Sequence, residues 1–380
     1  MSVLIFILLL VLLILVHEFG HFVVAKAFKI RVDEFGIFFP PRLLGFKWGE
    51  TEYTLNSIPL GGFVKIFGEN GEDSDTETEK NIEAKKDVRR NFSQKSRWIQ
   101  AAVLVAGVFF NMLFAWLAVS AGYVVGMQTS ASHRGFGVVE HPQTMITQVS
   151  PESPASKAGV ESNDIVQTVE TATASLATNQ VTADGVQQFI QAHQDESVML
   201  LVSRKTATTT EQRVFLAKPV AGIAPDHKAI GIGLDDVGIL RLSPPLALAE
   251  GAILTESMTV ELASGLGGLV TGLFHGTANL GEVSGPIGIV SMGASTESKG
   301  FVATLTLLAL ISVDLAIINL LPIPGLDGGR LLFVIIEGVT RRPISEKFAT
   351  RATIISIALL ISLVIIISFH DVLHLIHPAV

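Results

Sequence analysis

The sequence contains no cysteine and few charged residues for its length. Only 16% of its 380 residues are charged, whereas 49% are hydrophobic and the mean hydropathy is +0.51. Without cysteine there are no disulfides and no thiolate ligands, so any metal must be bound by His, Asp or Glu. The excess of apolar over charged residues is typical of a membrane protein rather than a soluble domain.

The chain also lacks an excess of basic residues. Its 35 acidic and 27 basic residues give a formal net charge of -8. A surface that neutralises nucleic-acid phosphates needs clustered lysine and arginine. We therefore expect no nucleic-acid partner.

Four stretches are long and apolar enough to cross a bilayer, which takes about 20 helical residues. They are residues 1–25, 98–127, 301–321 and 353–369. The first lacks the basic start and small-residue cleavage site of a signal peptide, so we interpret it as a retained span. The sequence predicts a multi-pass α-helical membrane protein with about four transmembrane helices.

Lysine and arginine near the span ends predict the orientation of the chain. Thirteen of them lie in residues 26–97 and five in residues 322–352, whereas the N-terminus and the tail after Phe369 have none. By the positive-inside rule, we expect these two connections to be cytoplasmic. Both termini and the long region 128–300 are then expected on the outer side.

The connections differ in composition. In residues 53–67, YTLNSIPLGGFVKIF, β-branched and aromatic residues surround a Pro-Leu-Gly-Gly break, which predicts short strands and a turn at the membrane surface. The acidic run 69–79 is interpreted as a solvated surface loop. Residues 136–218 read as a soluble α/β module, and residues 219–300 as an outer linker with surface-lying helices. The membrane parts are then residues 1–127 and 301–380.

The first span contains the sequence His17-Glu18-Phe19-Gly20-His21. On a helix this HExxH pattern places two imidazoles one turn apart on one face with a glutamate beside them, which suits a single zinc ion. Polar residues within a span are costly and by default indicate function. The alternative is a polar cluster packed in a helix bundle that binds nothing.

A catalytic zinc needs a third protein ligand, and a carboxylate is a common choice. The best candidate is Asp327, in the sequence NLLPIPGLDGG that ends the third span. Pro322 and Pro324 stop that helix, which places Asp327 just beyond its end. The alternative for Asp327 is a helix-capping aspartate.

HEFGH and NLLPIPGLDGG together resemble the site-2 protease family of intramembrane metalloproteases, in particular the bacterial branch that includes the regulator of sigma-E protease. The resemblance extends to PLGGFVKIFGE, to the segment entering the second span, to SPASKAGVESNDIV, which is similar to a bacterial PDZ domain, and to VSGPIGI at 283–289. It implies a zinc metalloendopeptidase with His17, His21 and Asp327 as zinc ligands and Glu18 as the general base.

The resemblance also implies partners and location. Substrates would be single-pass membrane proteins, such as anti-sigma factors or remnant signal peptides, cut within the bacterial inner membrane in regulated intramembrane proteolysis. The active site would face the cytoplasm, and a single PDZ domain at 136–218 would lie outside. That domain is expected either to act as a size filter or to bind an exposed C-terminus left by an earlier cut, with Phe136-Gly-Val-Val as either the carboxylate-binding segment or a core strand.

Seven further residues are predicted to contact substrate. A substrate helix must unwind before hydrolysis, and the strands around Gly61, Gly62 and Phe63 could receive the unwound segment by edge pairing. Asn319 either hydrogen-bonds the substrate backbone or oxyanion, or ties two helices together. The set is completed by Asn111 in the second span and by Pro322 and Pro324.

Two other functions fit parts of the pattern. A catalytically silent relative would bind transmembrane helices as a chaperone or scaffold, but such relatives often lose the glutamate that stands here at Glu18. A metal transporter would also place His and Asp within spans. Beyond Asn111, Asp314 and Asn319, however, the spans contain few additional polar residues.

Overall fold

The structure of the chain is a computed structural model that describes residues 2–69, 89–205, 209–276, 288 and 300–376. Most of the acidic run 69–79, and VSGPIGI apart from Gly288, lie outside the described residues. The described helices are α1 (Ser2–Ala27), α2 (Arg97–Val125), α3 (Pro154–Ala158), α4 (Ala183–Ala192), α5 (Pro244–His275), α6 (Phe301–Leu320), α7 (Asp327–Thr340) and α8 (Glu346–Ile376). The described strands are β1 (Val32–Trp48), β2 (Thr51–Ile66), β3 (Met127–Ser130), β4 (Glu140–Val149), β5 (Ile165–Glu170), β6 (Val198–Lys205), β7 (Thr210–Ala217) and β8 (Ile232–Leu240).

Four of these helices confirm the predicted spans. The segments long and apolar enough to cross a membrane are Leu4–Ala27, Arg97–Val125, Phe301–Leu320 and Glu346–Phe369. Helix α6 ends at Leu320 because Pro322 and Pro324 cannot continue a helix and the residue before each proline disfavours helical geometry. Helix α5, in the predicted linker, is continuous and is not among the four span candidates.

Contacts divide the chain into two units. The membrane unit contains the chain up to Val119, the segment that begins at Gly251, and Ala303–Val372. The sheet unit is essentially Ser120–Glu250. The two units are described separately below.

Strands β1 and β2 of the membrane unit both change partner along their length. Residues 34–37 of β1 pair with residues 52–55 of β2 on one side and with residues 62–65 on the other, and residues 44–48 pair back onto 51–55. The change of partner falls at the predicted Pro-Leu-Gly-Gly turn. Within the described part of the chain, residues 62–66 are paired along one side only, so they form an edge of this sheet.

The same edge lies against α1. A Cβ atom on Gly62 would come within 2.9 Å of the Leu15 side chain and of the Gly36 carbonyl oxygen. Glycine therefore permits the strand to approach both α1 and β1. Ala25, Ile66, Val103 and Val334 join one buried cluster, which fixes the end of α1 against the sheet, α2 and α7.

The sheet unit contains an antiparallel sheet in the order β3-β8-β4-β5-β6-β7. Alternate residues of β6 face its core, as expected for a half-buried strand. The last of these is Arg204, whose Nε and Nη2 donate to the two carboxylate oxygens of Asp164 at 2.7 and 2.6 Å. Strand β8 lies in the segment that the sequence analysis assigned to the linker, and β3 lies just before the predicted module.

Candidate metal centre

Three side chains from distant parts of the membrane unit meet at one point. His17 Nε2 lies 2.9 Å from Asp327 Oδ2, His21 Nε2 lies 3.1 Å from the same oxygen, and the two Nε2 atoms are 3.2 Å apart. Both histidine side chains are buried, at 7% and 9% exposure. In the described part of the chain this trio is the group of His, Asp and Glu side chains that could hold a metal ion.

The spacing of the three atoms fits a tetrahedral zinc site. Zinc binds imidazole nitrogen and carboxylate oxygen at about 2.0–2.1 Å, so ligand atoms at tetrahedral angles are about 3.3 Å apart. Asp327 offers a carboxylate oxygen, and His17 and His21 offer one imidazole nitrogen each, which is a ligand set that suits zinc.

The two elements that supply the ligands are positioned by their sequences. Helix α1 runs without interruption through the HExxH pattern, so His17 and His21 share one face. Asp327 is the first residue of α7. A Cβ atom on Gly328 would lie 2.3 Å from the carbonyl oxygens of Leu320 and Leu321, so only glycine allows the start of α7 to fold back onto the end of α6.

Helix α2 forms the back wall of the site through residues spaced by four. His21 Nδ1 donates to the Val103 carbonyl oxygen at 2.8 Å, which leaves the His21 Nε2 lone pair for a metal. Gly107 lies directly behind the imidazoles, because a Cβ atom there would be 2.5 Å from His21 Nε2 and 2.6 Å from His17 Cε1. Asn111 follows one turn later, against the other ring nitrogen of His17.

The hydrogen bonding of Asn111 is a second observation that the site fits a metal ion. Its amide nitrogen lies 3.2 Å from His17 Nδ1, while its Oδ1 is buried with no hydrogen-bond partner among the described residues. If the amide is turned by 180°, Oδ1 accepts from His17 Nδ1–H, and the buried oxygen gains a partner. That arrangement also leaves the His17 Nε2 lone pair free, as a metal ligand requires.

Glu18 lies beside this centre on α1. The Val64 backbone amide lies near its carboxylate, and His21, Asp327 and Glu69 interact with it electrostatically. Val64 belongs to the edge formed by residues 62–66. The predicted general base and the predicted strand edge are therefore adjacent.

The remaining predicted site residues are placed as follows. Gly61, Gly62 and Phe63 lie on the strand beside α1, where Gly61 approaches the Ile14 side chain. Asn319 is half-buried at the end of α6, and Pro322 and Pro324 lie in the turn before α7. No hydrogen bond joins Asn319 to His17, His21 or Asp327 among the described residues.

Sequence reasoning missed the roles of Val103, Gly107 and Val64. Val103 and Val64 act through backbone atoms, which leave no trace in residue type. The signal for Gly107 was available, since a glycine in the second span, one turn before the singled-out Asn111, marks a close helix approach.

Known proteins resemble this chain along nearly its whole length. The profile of peptidase family M50 matches residues 5–363. The chain is 34% identical over 354 residues to a Nostoc sp. protein named "Putative zinc metalloprotease all3971", which covers 91% of this chain and 89% of the relative. It is 24% identical over 446 residues to "Zinc metalloprotease RasP" of Bacillus licheniformis, with 98% of each chain covered.

The family matches and the geometry of the candidate metal centre lead to the same conclusion. The chain has four apolar helices long enough to span a membrane and a His-His-Asp trio in which a zinc ion fits, and a glutamate lies beside that trio. The chain therefore belongs to peptidase family M50, the site-2 protease family, and is an intramembrane metalloprotease that uses zinc.

Proposed function

We propose that the enzyme hydrolyses peptide bonds within the transmembrane helices of single-pass membrane proteins. The observation that carries this proposal is the depth of the site. His21 lies six residues, or about 9 Å along the helix axis, inside the end of the Leu4–Ala27 span. A substrate must therefore bring its scissile bond below the membrane surface.

Glu18 is proposed to move the proton of the reaction. Zinc, when bound, polarises a water molecule and the scissile carbonyl. Glu18 accepts the proton of the attacking water and then donates it to the leaving amine. The nearby Val64 amide is proposed to hold the carboxylate in place for both transfers.

Asn111 is proposed to position a zinc ligand rather than to bind substrate. Its side chain is fully buried behind His17, and its backbone carbonyl accepts a hydrogen bond from Ser312 Oγ at 2.9 Å. A residue enclosed on α2 in this way orients the imidazole through Nδ1. Asn319, half-exposed at the end of α6, is the better placed amide for a substrate backbone or oxyanion.

The edge at residues 62–66 is proposed to bind the unwound substrate as an added strand. The Phe67 amide donates inward, to the Arg31 carbonyl oxygen at 3.0 Å. Because backbone amides alternate in direction along a strand, those of Val64 and Ile66 point to the opposite, unpaired side. The Val64 amide reaches Glu18, so a strand paired here would pass beside the general base.

The location and biological role follow from the charge pattern and the family. We place the enzyme in a bacterial inner membrane with the Lys- and Arg-rich connections in the cytoplasm. Anti-sigma factors and remnant signal peptides are the substrate classes that the family resemblance supports. A silent scaffold would have no use for a glutamate held beside the metal ligands, and this disfavours that alternative.

The sheet unit is proposed to be a PDZ-like domain that selects substrates. In the described part of the chain, strand β3 pairs with residues 237–240 of β8 alone, so the start of β8 is left to face α4, as in a peptide-binding groove. Phe136 is not in a strand, and its amide already donates to Glu250 Oε2 at 2.9 Å. The groove between β8 and α4 is therefore the better proposed site for a C-terminal peptide.

The proposed function is tested by separating metal binding from catalysis. Purified Glu18→Gln should keep about one zinc per chain yet cleave a single-span substrate at least about 100-fold more slowly, because the proton acceptor is lost. Asp327→Asn should lose zinc, because the neutral amide is a weak ligand. Zinc content by mass spectrometry and cleavage in detergent are the measurements. Glu256→Gln, at an exposed site on α5, is the control. A fully active Glu18→Gln variant would refute the role of Glu18.

The role of Asn111 is tested by a matched pair of variants. Asn111→Leu removes the acceptor for His17 Nδ1–H and should weaken zinc binding about 10- to 100-fold. Asn111→Asp keeps an acceptor oxygen in the same place and should retain zinc within a few-fold. Competition with a chromophoric chelator measures both affinities. Equal zinc affinity in Asn111→Leu and the unmodified chain would contradict the positioning role.

The strand-pairing proposal is tested at Ile66. Ile66→Pro removes an outward amide without breaking a bond to β1, so it should lower cleavage of helical substrates at least about 10-fold while zinc content is unchanged. Ile66→Ala truncates the same buried side chain but keeps the amide, and so reports any effect of packing alone. Should the proline and alanine variants cleave equally well, pairing at this edge is ruled out.

The selective role of the sheet unit is tested by replacing it. Ser130 and Val237 are directly paired, so a two-residue Asn-Gly turn can replace residues 131–236 and keep the β3–β8 pair as a hairpin. Removal of 136–218 alone would instead strip β8 of its β4 partner. The shortened chain should bind zinc and also cleave substrates with bulky outer domains. Loss of all cleavage in a zinc-loaded shortened chain would contradict a purely selective role.

A further inference from the structure

A second cavity, of about 490 Å³, lies in the membrane unit at the end of α1, away from the metal ligands. We call it the basic pocket. Five cationic residues line it: Lys26, Lys29, Arg89, Arg90 and Lys95. Neither the zinc site nor the proposed substrate edge uses these side chains.

The charge of the basic pocket is not balanced by its own residues. Glu50 is its one acidic residue, so five cations against one carboxylate give a formal charge of +4. Lys26 lies 2.5 Å from Glu50 Oε1, and Arg90 also pairs with this carboxylate. Partial burial opposes ionisation of Glu50, but Arg90 and Lys26 hold its pKa below its ordinary value, so the carboxylate stays charged.

Two of the five cations have no carboxylate partner among the described residues. Lys29 and Arg89 are exposed, and neither side chain has a hydrogen bond or ion pair among the described residues. Among the residues that the structure describes, Lys95 Nζ donates only to the neutral Phe28 carbonyl oxygen, at 3.0 Å. The pocket therefore presents three cations to a ligand, with two more already held at its wall.

The backbone conformation of Lys29 is a separate observation. The Ile30 amide bonds to the Ala25 carbonyl oxygen at 2.9 Å and the Lys29 amide to that of Lys26 at 3.0 Å, which closes α1 with a Schellman motif. Lys29 occupies the left-handed position of this motif, with a φ of 56°. Glycine is the usual residue there, so the chain keeps a strained lysine where a glycine would be easier to accommodate.

The pocket lies where two spans meet the membrane surface. The first span ends at Ala27 and the second begins at Arg97. Trp98 is 75% exposed at the start of the second span, as is typical of an aromatic residue at the lipid interface. Lipid phosphates lie at this level of a bilayer.

We propose that the basic pocket binds the phosphate headgroup of an anionic glycerophospholipid. A zwitterionic headgroup would bring its own cation against a charge of +4, which disfavours it. A free phosphate would have the same contacts but would lack acyl chains, which can lie along the apolar sides of the adjoining spans. Basic pockets between spans are a known mode of binding anionic headgroups. This proposal does not depend on the proteolytic mechanism.

Native mass spectrometry of the full chain in detergent tests the proposal. The protein is titrated with phosphatidylglycerol, with phosphatidylcholine of the same acyl chains, and with inorganic phosphate. We expect one phosphatidylglycerol to bind in preference to phosphatidylcholine and to resist displacement by millimolar phosphate. Each cation near a membrane surface contributes about fivefold in affinity, so Lys29→Gly should weaken binding about fivefold and Lys29→Gly with Arg89→Ala about 25-fold.

The Lys29→Gly variant is informative because it removes a charge while relaxing the end of α1, so a loss of binding does not arise from misfolding. Arg341→Gly is the matched control, since Arg341 also has a left-handed conformation, with a φ of 55°, at the end of α7. It should leave the preferred lipid bound. Equal weakening in both variants would reveal general membrane electrostatics and overturn the pocket. Failure to prefer phosphatidylglycerol would overturn it too, as would full displacement of the lipid by phosphate.

Discussion

The convergence of His17, His21 and Asp327 is the constraint on which the rest of the membrane unit depends. Two Nε2 lone pairs and a carboxylate oxygen within 3.2 Å of one another repel unless a cation or protons lie between them. The site is therefore arranged for a divalent ion. Gly107 and Gly328 keep α2 and the start of α7 close enough to enclose it, because neither position has room for a side chain.

The sequence was sufficient to predict the features that depend on a short stretch of residues. The four spans, the HExxH face of α1 and the break at residues 59–62 each follow from a short stretch of residues, and all appear in the structure. Asp327 is a long-range partner, and it was predictable because two helix-ending prolines place its carboxylate just beyond a span, level with His21. Family resemblance then assigned the roles that spacing alone leaves open.

The sequence was insufficient to predict contacts made by backbone atoms and strand pairing between distant segments. The Val103 carbonyl orients His21 and the Val64 amide lies near Glu18, but any non-proline residue has these groups. Strand β8 joins β3 and β4 across long loops, so no local pattern marked it as part of the sheet. Nothing in the sequence marks Lys29, and its left-handed conformation is what distinguishes it.

The basic pocket and the zinc site are connected through the backbone. The Arg90 carbonyl oxygen accepts from the Arg31 amide at 3.2 Å, and the Arg31 carbonyl oxygen accepts from the Phe67 amide, directly after the edge at residues 62–66. Lys26 lies five residues after His21, about 7.5 Å along α1. A headgroup held in the pocket would therefore fix the depth of both zinc-binding histidines and of the edge proposed to receive substrate. The distance of the cleaved bond from the lipid surface would then be set by the bound headgroup.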